Sequence, residues 1–144
     1  MTDKYIAWAD IKGTKYPLCL TIRAADAIEN EFGSLNAPLD IIRQSLNEGK
    51  IADALRAILK MARPLADAGR DYLAACAQMS GDAKALEKAY ALPVLPTSET
   101  LENVLSGAEI LQLWNACYAA TQGGAGRDVE AEPDKSAKNV ESAT

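Results

Sequence analysis

The chain has 144 residues, enough for one domain with a hydrophobic core, and a formal net charge of −5, which argues against nucleic-acid or anionic-membrane partners. Hydrophobic residues make up 49% of it but aromatic ones only 6%, and the abundance of alanine favours packed helices over a large sheet. No apolar run is long enough to predict a membrane span or a signal peptide.

The first predicted element is a β-hairpin over residues 5–20 that turns at Lys12 and Gly13. This turn places Trp8 opposite Pro17 at a non-hydrogen-bonded pair, so the missing N–H of the proline costs nothing within the hairpin. Because a lone hairpin is marginal in water, its alternating apolar face should pack on helices. The residues of that face are Tyr5, Ala7, Ala9, Ile11, Tyr16, Leu18 and Leu20.

Capping residues and helical periodicity predict a bundle of about six short helices after the hairpin. Thr21 can cap the first helix and Gly33 ends it. Pro64 is expected to stop the third, since proline lacks the N–H that a helix interior needs. The predicted spans are 21–32, 36–49, 50–63, 67–79, 83–91 and, after an extended segment at 92–96, a stretch from 97 that breaks near Ser106 and Gly107. The predicted fold class is therefore mainly α (α+β).

The composition changes at Gly123, where a glycine-rich run is followed by a polar stretch of mixed charge. The stretch has no aromatic residue and too little apolar surface to offset the entropy lost on ordering. We expect a single domain over residues 1–122 and a disordered polar tail over residues 123–144.

Catalytic and metal-binding motifs are missing from the sequence. There is no histidine, the commonest general base and metal ligand. The cysteines, Cys19, Cys76 and Cys117, are odd in number and far apart, which is typical of small buried hydrophobes rather than of disulfides or zinc ligands. Carboxylate pairs such as Asp67 and Asp71 lie on predicted polar helix faces. We expect a non-enzymatic protein with no catalytic residue, no cofactor and no metal site.

Four aromatic and aliphatic side chains are candidates for contact with a partner protein. Ile6 and Trp8 lie on the hairpin face opposite the one expected to pack, while Trp114 and Tyr118 share one face of the last helix. Either helices cover these side chains and they are core, or they form a partner-binding surface, for which tryptophan and tyrosine are favoured anchors. We predict all four as partner-contact residues.

The stretch from Trp8 to about Leu59 resembles small tail assembly chaperones of tailed phages and gene transfer agents. The similarity lies in the order of its features: a hairpin that turns at Lys12-Gly13, a helix start, and helices with paired aliphatic residues. The matching residues after the turn are Leu20-Thr21-Ile22-Arg23-Ala24-Ala25, Ile28-Glu29, Phe32-Gly33-Ser34-Leu35, Ile41-Ile42 and Ile58-Leu59.

This resemblance implies a non-enzymatic assembly factor in the cytoplasm of a bacterial host. Such proteins bind a long, largely helical tape-measure protein and keep it soluble until tail-tube protein polymerises around it. The implied partners are tape-measure protein and tail-tube protein, with no nucleic acid and no membrane. Two other classes stay open: a structural tail or head component that self-assembles into a homo-oligomer, and a small helical ligand-binding domain.

Overall fold

The computed structural model describes residues 4–123. Within this range a two-stranded antiparallel hairpin is followed by six helices, which confirms the predicted mainly α fold with an N-terminal hairpin. The elements are β1 (Ala7–Ile11), β2 (Thr14–Leu18), α1 (Ile22–Phe32), α2 (Ala37–Asn47), α3 (Ile51–Ser80), α4 (Ala83–Tyr90), α5 (Ser98–Val104) and α6 (Gly107–Thr121). The predicted disordered tail lies, from residue 124 onward, outside the described residues.

The hairpin has the predicted register, with Trp8 paired to Pro17. Lys12 and Gly13 both have positive φ angles (55° and 86°), as a two-residue hairpin turn requires. The carboxylate of Asp10 supports this turn by accepting from the N–H of Gly13 at 3.1 Å. The face predicted to pack is buried at Ala7, Ala9, Ile11, Tyr16 and Leu18. Helix α6 packs mainly on β1, and α3 packs on β2.

Helix α3 departs from the sequence prediction, because it runs through Pro64 as one helix of 30 residues where two helices were expected. A proline inside a helix removes a hydrogen bond and crowds the preceding turn, at a cost of about 3 kcal/mol. Burial beside it offsets this cost: Met61, Ala62 and Leu65 are 0% exposed, and a fully buried methionine or leucine contributes roughly 1.5–3 kcal/mol. Tertiary packing therefore overrides the local effect of the proline.

The end of β2 lies directly on the backbone of α3. The N–H of Cys19 donates to the carbonyl of Leu65 at 3.0 Å. One turn further along the helix, at Gly69, an added Cβ would stand 2.5 Å from the carbonyl carbon of Pro17 and closer still to its oxygen. The missing side chain at Gly69 is therefore what allows the strand and the helix to approach each other.

Two arginines of α3 hold the end of α4 and the extended connector that leads from it to α5. Arg63 donates to the carbonyl of Leu95 at 2.6 Å and also to the carbonyl of Pro96. Arg70, two turns further along α3, donates to the carbonyl of Tyr90 at 3.4 Å. Leu95 is only 3% exposed and belongs to the core. The connector thus buries an apolar side chain while Arg63 satisfies two of its backbone acceptors.

The predicted break before the last helix is confirmed, with a capping box at Ser106 and Glu109. The N–H of Glu109 donates to the hydroxyl of Ser106 at 3.3 Å, and the N–H of Ser106 donates to the Glu109 carboxylate at 2.9 Å. The ammonium of Lys12 lies 3.1 Å from the same carboxylate. The side chain of Glu109 therefore helps to cap the N-terminus of α6 and also links this helix to the hairpin turn.

We expect the stability contributed by Glu109 to depend on pH. The N–H of Ser106 and then the ammonium of Lys12 hold the pKa of this carboxyl below its usual 4.5. A lowered folded-state pKa stabilises the fold above the unfolded-state pKa, and that stabilisation is lost as the pH falls through the folded-state pKa. Glu109→Gln should therefore lower the urea midpoint near neutral pH, with an effect that shrinks below pH 4.5.

The matched control is Glu87→Gln, an exposed carboxylate on α4. Its urea midpoint should differ little from that of the unmodified protein at either pH. An effect of Glu109→Gln that stays equal from neutral pH to well below pH 4.5 would contradict the electrostatic origin of the stabilisation.

Candidate functional site

An apolar cleft opens where the start of the hairpin, the start of α1, the middle of α3 and the end of α6 meet. Its volume is about 450 Å³, which lies within the range of protein sites that take a small molecule or a few side chains. The residues that line it include Tyr5, Leu20, Ile22, Tyr72, Ala120 and Thr121. We refer to this site as the aromatic cleft.

The edge of the aromatic cleft is formed by exposed apolar side chains. Tyr5 is 48% exposed and its ring meets that of Tyr72 edge-on, with centroids 6.3 Å apart. Ile22 is 90% exposed. It directly follows Thr21, whose hydroxyl caps α1 by accepting from the N–H of Ala24. Because the cap fixes where α1 begins, it also fixes Ile22 at the mouth of the cleft.

Trp114 and Tyr118 extend this apolar edge along α6. Their rings are one helical turn apart, with centroids separated by 6.0 Å. Thr121 continues the row at helical spacing, and its hydroxyl donates to the carbonyl of Tyr118 at 2.7 Å. Trp114 is half-buried against the core, whereas Tyr118 is 43% exposed. The ring of Trp114 is therefore held by core packing, while the ring of Tyr118 is accessible from solvent.

The predicted contact residues of the hairpin do not join this site. Trp8 is 39% exposed, but it lines a separate polar depression with Gln112 and Asn115 of α6. Ile6 is 0% exposed, and its neighbour Ala7, on the opposite face, is 1% exposed. Both faces are thus covered at this end of the hairpin. Ile6 is a core residue and offers no surface to a partner, which corrects the sequence prediction.

Three residues of the aromatic cleft were not predicted as site residues from the sequence. Strand alternation assigns Tyr5 to the packed face, but β1 begins only at Ala7, so the alternation does not extend to Tyr5. Tyr72 reaches the cleft from a distant part of the chain through tertiary packing alone. Ile22 does carry a signal: it is an aliphatic residue next to a helix cap and lies off the buried stripe of α1.

The three cysteines form no disulfide with one another and differ in environment. Cys19 and Cys117 are buried, as predicted, and burial raises the pKa of Cys117 to about 12. Cys76 is exposed on α3, so its prediction as a buried hydrophobe is wrong. A thiol with so high a pKa as that of Cys117 stays protonated and is a poor nucleophile. Among residues 4–123, no group of three His, Cys, Asp or Glu side chains could hold a metal ion.

The fold and the aromatic cleft are the structural features that characterise this protein. They define a mainly helical protein with an N-terminal hairpin and an apolar cleft edged by exposed side chains. Comparison of the chain with protein-family models, curated proteins and solved structures finds no match. Across the described part of the chain, no helix combines the length and the apolar character needed to cross a membrane.

Proposed function

We propose that the protein is a non-enzymatic tail assembly chaperone of a phage or prophage, acting in the cytoplasm of the bacterial host. The observation that carries this proposal is the exposure of Tyr5 and Ile22 at an apolar cleft of about 450 Å³, with the exposed Tyr118 beside the cleft residue Thr121 on α6. Burial of apolar surface on a partner is favourable by roughly 25 cal/mol per Å². The resemblance of the N-terminal stretch to tail assembly chaperones supports the same assignment.

The occupant of the cleft in this proposal is an amphipathic helix of the tape-measure protein. An apolar groove that receives one face of a helix is a recurring mode of peptide recognition. Copies of the chaperone bound along one long chain gain avidity, while moderate affinity at each site permits release. Tail-tube protein, which polymerises around the tape-measure protein, is the second partner in this scheme.

Ile22→Ser combined with Tyr118→Ser is expected to weaken binding to the tape-measure protein of the same genome about thirtyfold, or about 2 kcal/mol. Both side chains are largely exposed, so the double variant should stay folded and lose at most the ring contact between Tyr118 and Trp114, which its urea unfolding curve checks. The measurement is co-expression with the tape-measure protein, followed by its soluble yield and its dissociation constant from the purified chaperone.

Ile51→Ser is the matched control, because Ile51 is also the first residue of a helix and is 63% exposed outside the cleft. It should bind like the unmodified protein. A tape-measure protein that is soluble alone and co-purifies with nothing would refute the chaperone function. Equal weakening by Ile51→Ser and by the double variant would refute the aromatic cleft as the binding site.

A further inference from the structure

The outer edge of β1 carries backbone groups that no other strand pairs with among residues 4–123. In an antiparallel hairpin, the residues of a non-hydrogen-bonded pair turn their N–H and C=O groups away from the partner strand. Trp8, opposite Pro17, and Asp10, opposite Lys15, are such residues. No hydrogen bond between described residues joins these outward groups to a residue outside the hairpin. β1 therefore presents two N–H donors and two C=O acceptors along its edge.

The edge of β2 is less able to accept a further strand. Pro17 has no N–H to donate outward. Directly after β2, the N–H of Cys19 donates to the carbonyl of Leu65 on α3 at 3.0 Å. Proline and docking on a helix both protect a sheet edge from pairing with another chain. β1 contains no proline and has no such bond to a helix, so the open edge of the hairpin is that of β1.

The polar depression beside Trp8 lies along this open edge. Helix α6 packs mainly on β1 and little on β2, so its flank with Gln112 and Asn115 extends past the edge. The volume between the flank and the strand is about 510 Å³. The ion pair of Lys12 and Glu109, at 3.1 Å, closes it at the hairpin turn. We refer to this site as the β1–α6 groove.

The dimensions of the β1–α6 groove suit a single extended chain. At 3.3 Å per residue, the edge from Trp8 to Lys12 is about 13 Å long, which matches about four residues of a strand. A helix uses its N–H and C=O groups internally and has none left for β1. Two copies paired through β1 would bring their α6 flanks into collision, since paired strands lie only about 4.8 Å apart. The net charge of −5 on each copy also opposes such a dimer.

The charges that line the β1–α6 groove are balanced within the protein. Lys12 is paired with Glu109. Asp10 stands opposite Lys15 in the hairpin and accepts from the N–H of Gly13. A charged partner would have to compete with these contacts, so an uncharged occupant fits the groove best.

We propose that the β1–α6 groove binds an extended, uncharged segment of a partner protein, which adds to β1 as a third strand. In this mode of recognition the main-chain hydrogen bonds supply affinity and alternate side chains supply specificity. Residues of the segment whose amides face β1 carry side chains beside Trp8, where β-branched groups pack well. The residues between them face Gln112 and Asn115, whose amides can bond a hydroxyl. The groove shares no lining residue with the aromatic cleft, so this contact is independent of tape-measure binding.

The test uses a labelled peptide of seven residues in which valine and threonine alternate, and two N-methylated forms of it. One form is methylated at every valine amide, on the strand edge expected to face β1, and the other at every threonine amide. Fluorescence anisotropy with the full-length chain should show binding weakened about tenfold by methylation at valine, and less than about threefold by methylation at threonine. Equal effects of the two methylation patterns, or no binding of the unmethylated peptide, would overturn the proposal.

Salt provides a second measurement with the same peptide. The dissociation constant should change less than about twofold between low and high salt, because neither the main-chain bonds nor the uncharged side chains depend on screening. A strong salt dependence would contradict an uncharged contact.

Variants at Trp8 test the edge from the protein side. Trp8→Pro and Trp8→Thr both remove the ring, but only proline also removes the outward N–H. Proline is tolerated at a position whose N–H points away from the partner strand, as Pro17 is, and urea unfolding checks that both variants fold. Trp8→Pro should bind the peptide about fivefold more weakly than Trp8→Thr. Equal binding by the two folded variants would contradict strand addition to β1.

A steric variant tests the other wall of the groove. Gln112 is exposed, so Gln112→Trp should fold normally while filling the groove and weakening peptide binding about tenfold. Gln78→Trp, at an exposed position on α3, is the matched control and should bind normally. Unchanged binding by Gln112→Trp would place the peptide elsewhere. An unmodified chain that elutes as a dimer, and as a monomer with Trp8→Pro, would assign the edge to a second copy and overturn the proposal.

Discussion

Replacement of Gly69 by alanine is expected to lower the free energy of unfolding by about 3 kcal/mol, the upper part of the range for overpacking. The added Cβ would stand 2.5 Å from the carbonyl carbon of Pro17, and this neighbour is backbone, which cannot rotate away as a side chain can. The same strand end is held by the bond from Cys19 to Leu65. Relief of the clash would therefore also break that hydrogen bond. Urea unfolding followed by far-ultraviolet circular dichroism measures the loss.

Gly107→Ala is the matched control for this prediction. Gly107 is the first residue of α6, and an added Cβ there meets nothing within 4 Å. Alanine favours a helix over glycine by up to about 1 kcal/mol, so stability should be unchanged or higher. Equal stabilities of Gly69→Ala and Gly107→Ala would show that β2 does not approach α3 as closely as described.

The hairpin and most helix ends could be predicted because their determinants are local. The turn at Lys12 and Gly13 sets the strand register, since each later pair follows from the first. Thr21 and Ser106 cap their helices through hydrogen bonds to residues only three positions away. Such contacts can be recognised from short sequence patterns without knowledge of the rest of the fold.

The continuity of α3 could not be predicted, because the free-energy cost of Pro64 is offset by contacts with residues that are distant in sequence. Proline gives a strong local stop signal. What outweighs it is the burial of Met61 and Leu65 and the docking of β2 beside them. Ile6 shows the same limit, since strand alternation says which face it occupies but not that the face is covered.

Only the α6 part of the candidate site could be predicted from the sequence. Trp114 and Tyr118 are one turn apart on a single helix, so helical periodicity predicts their contact. Tyr5 and Tyr72 meet because the hairpin folds back onto α3, and no local pattern encodes that meeting. A binding surface assembled from separate elements requires the tertiary structure.

Arg63→Met is expected to lower the free energy of unfolding by about 3 kcal/mol, because two hydrogen bonds are lost and a bond from a charged donor contributes roughly 1.5–3 kcal/mol. Methionine keeps the apolar stem of the side chain but donates nothing to the carbonyls of Leu95 and Pro96. Since Leu95 is buried, the connector cannot turn these carbonyls to water without withdrawing an apolar side chain from the core. Urea unfolding again gives the magnitude.

Arg56→Met separates this effect from the general loss of a cation on α3. The side chain of Arg56 is 56% exposed. Its Nε lies 3.6 Å from Oε2 of Glu102, and its Nη1 lies 3.9 Å from Oδ1 of Asp53. Exposed ion pairs of this kind contribute about 0–1 kcal/mol, so Arg56→Met should cost clearly less than Arg63→Met. Similar costs for the two variants would mean that Arg63 acts as an ordinary surface charge. A larger loss of unfolding free energy for Arg63→Met would show that the hydrogen bonds from Arg63 to the backbone hold the connector against α3.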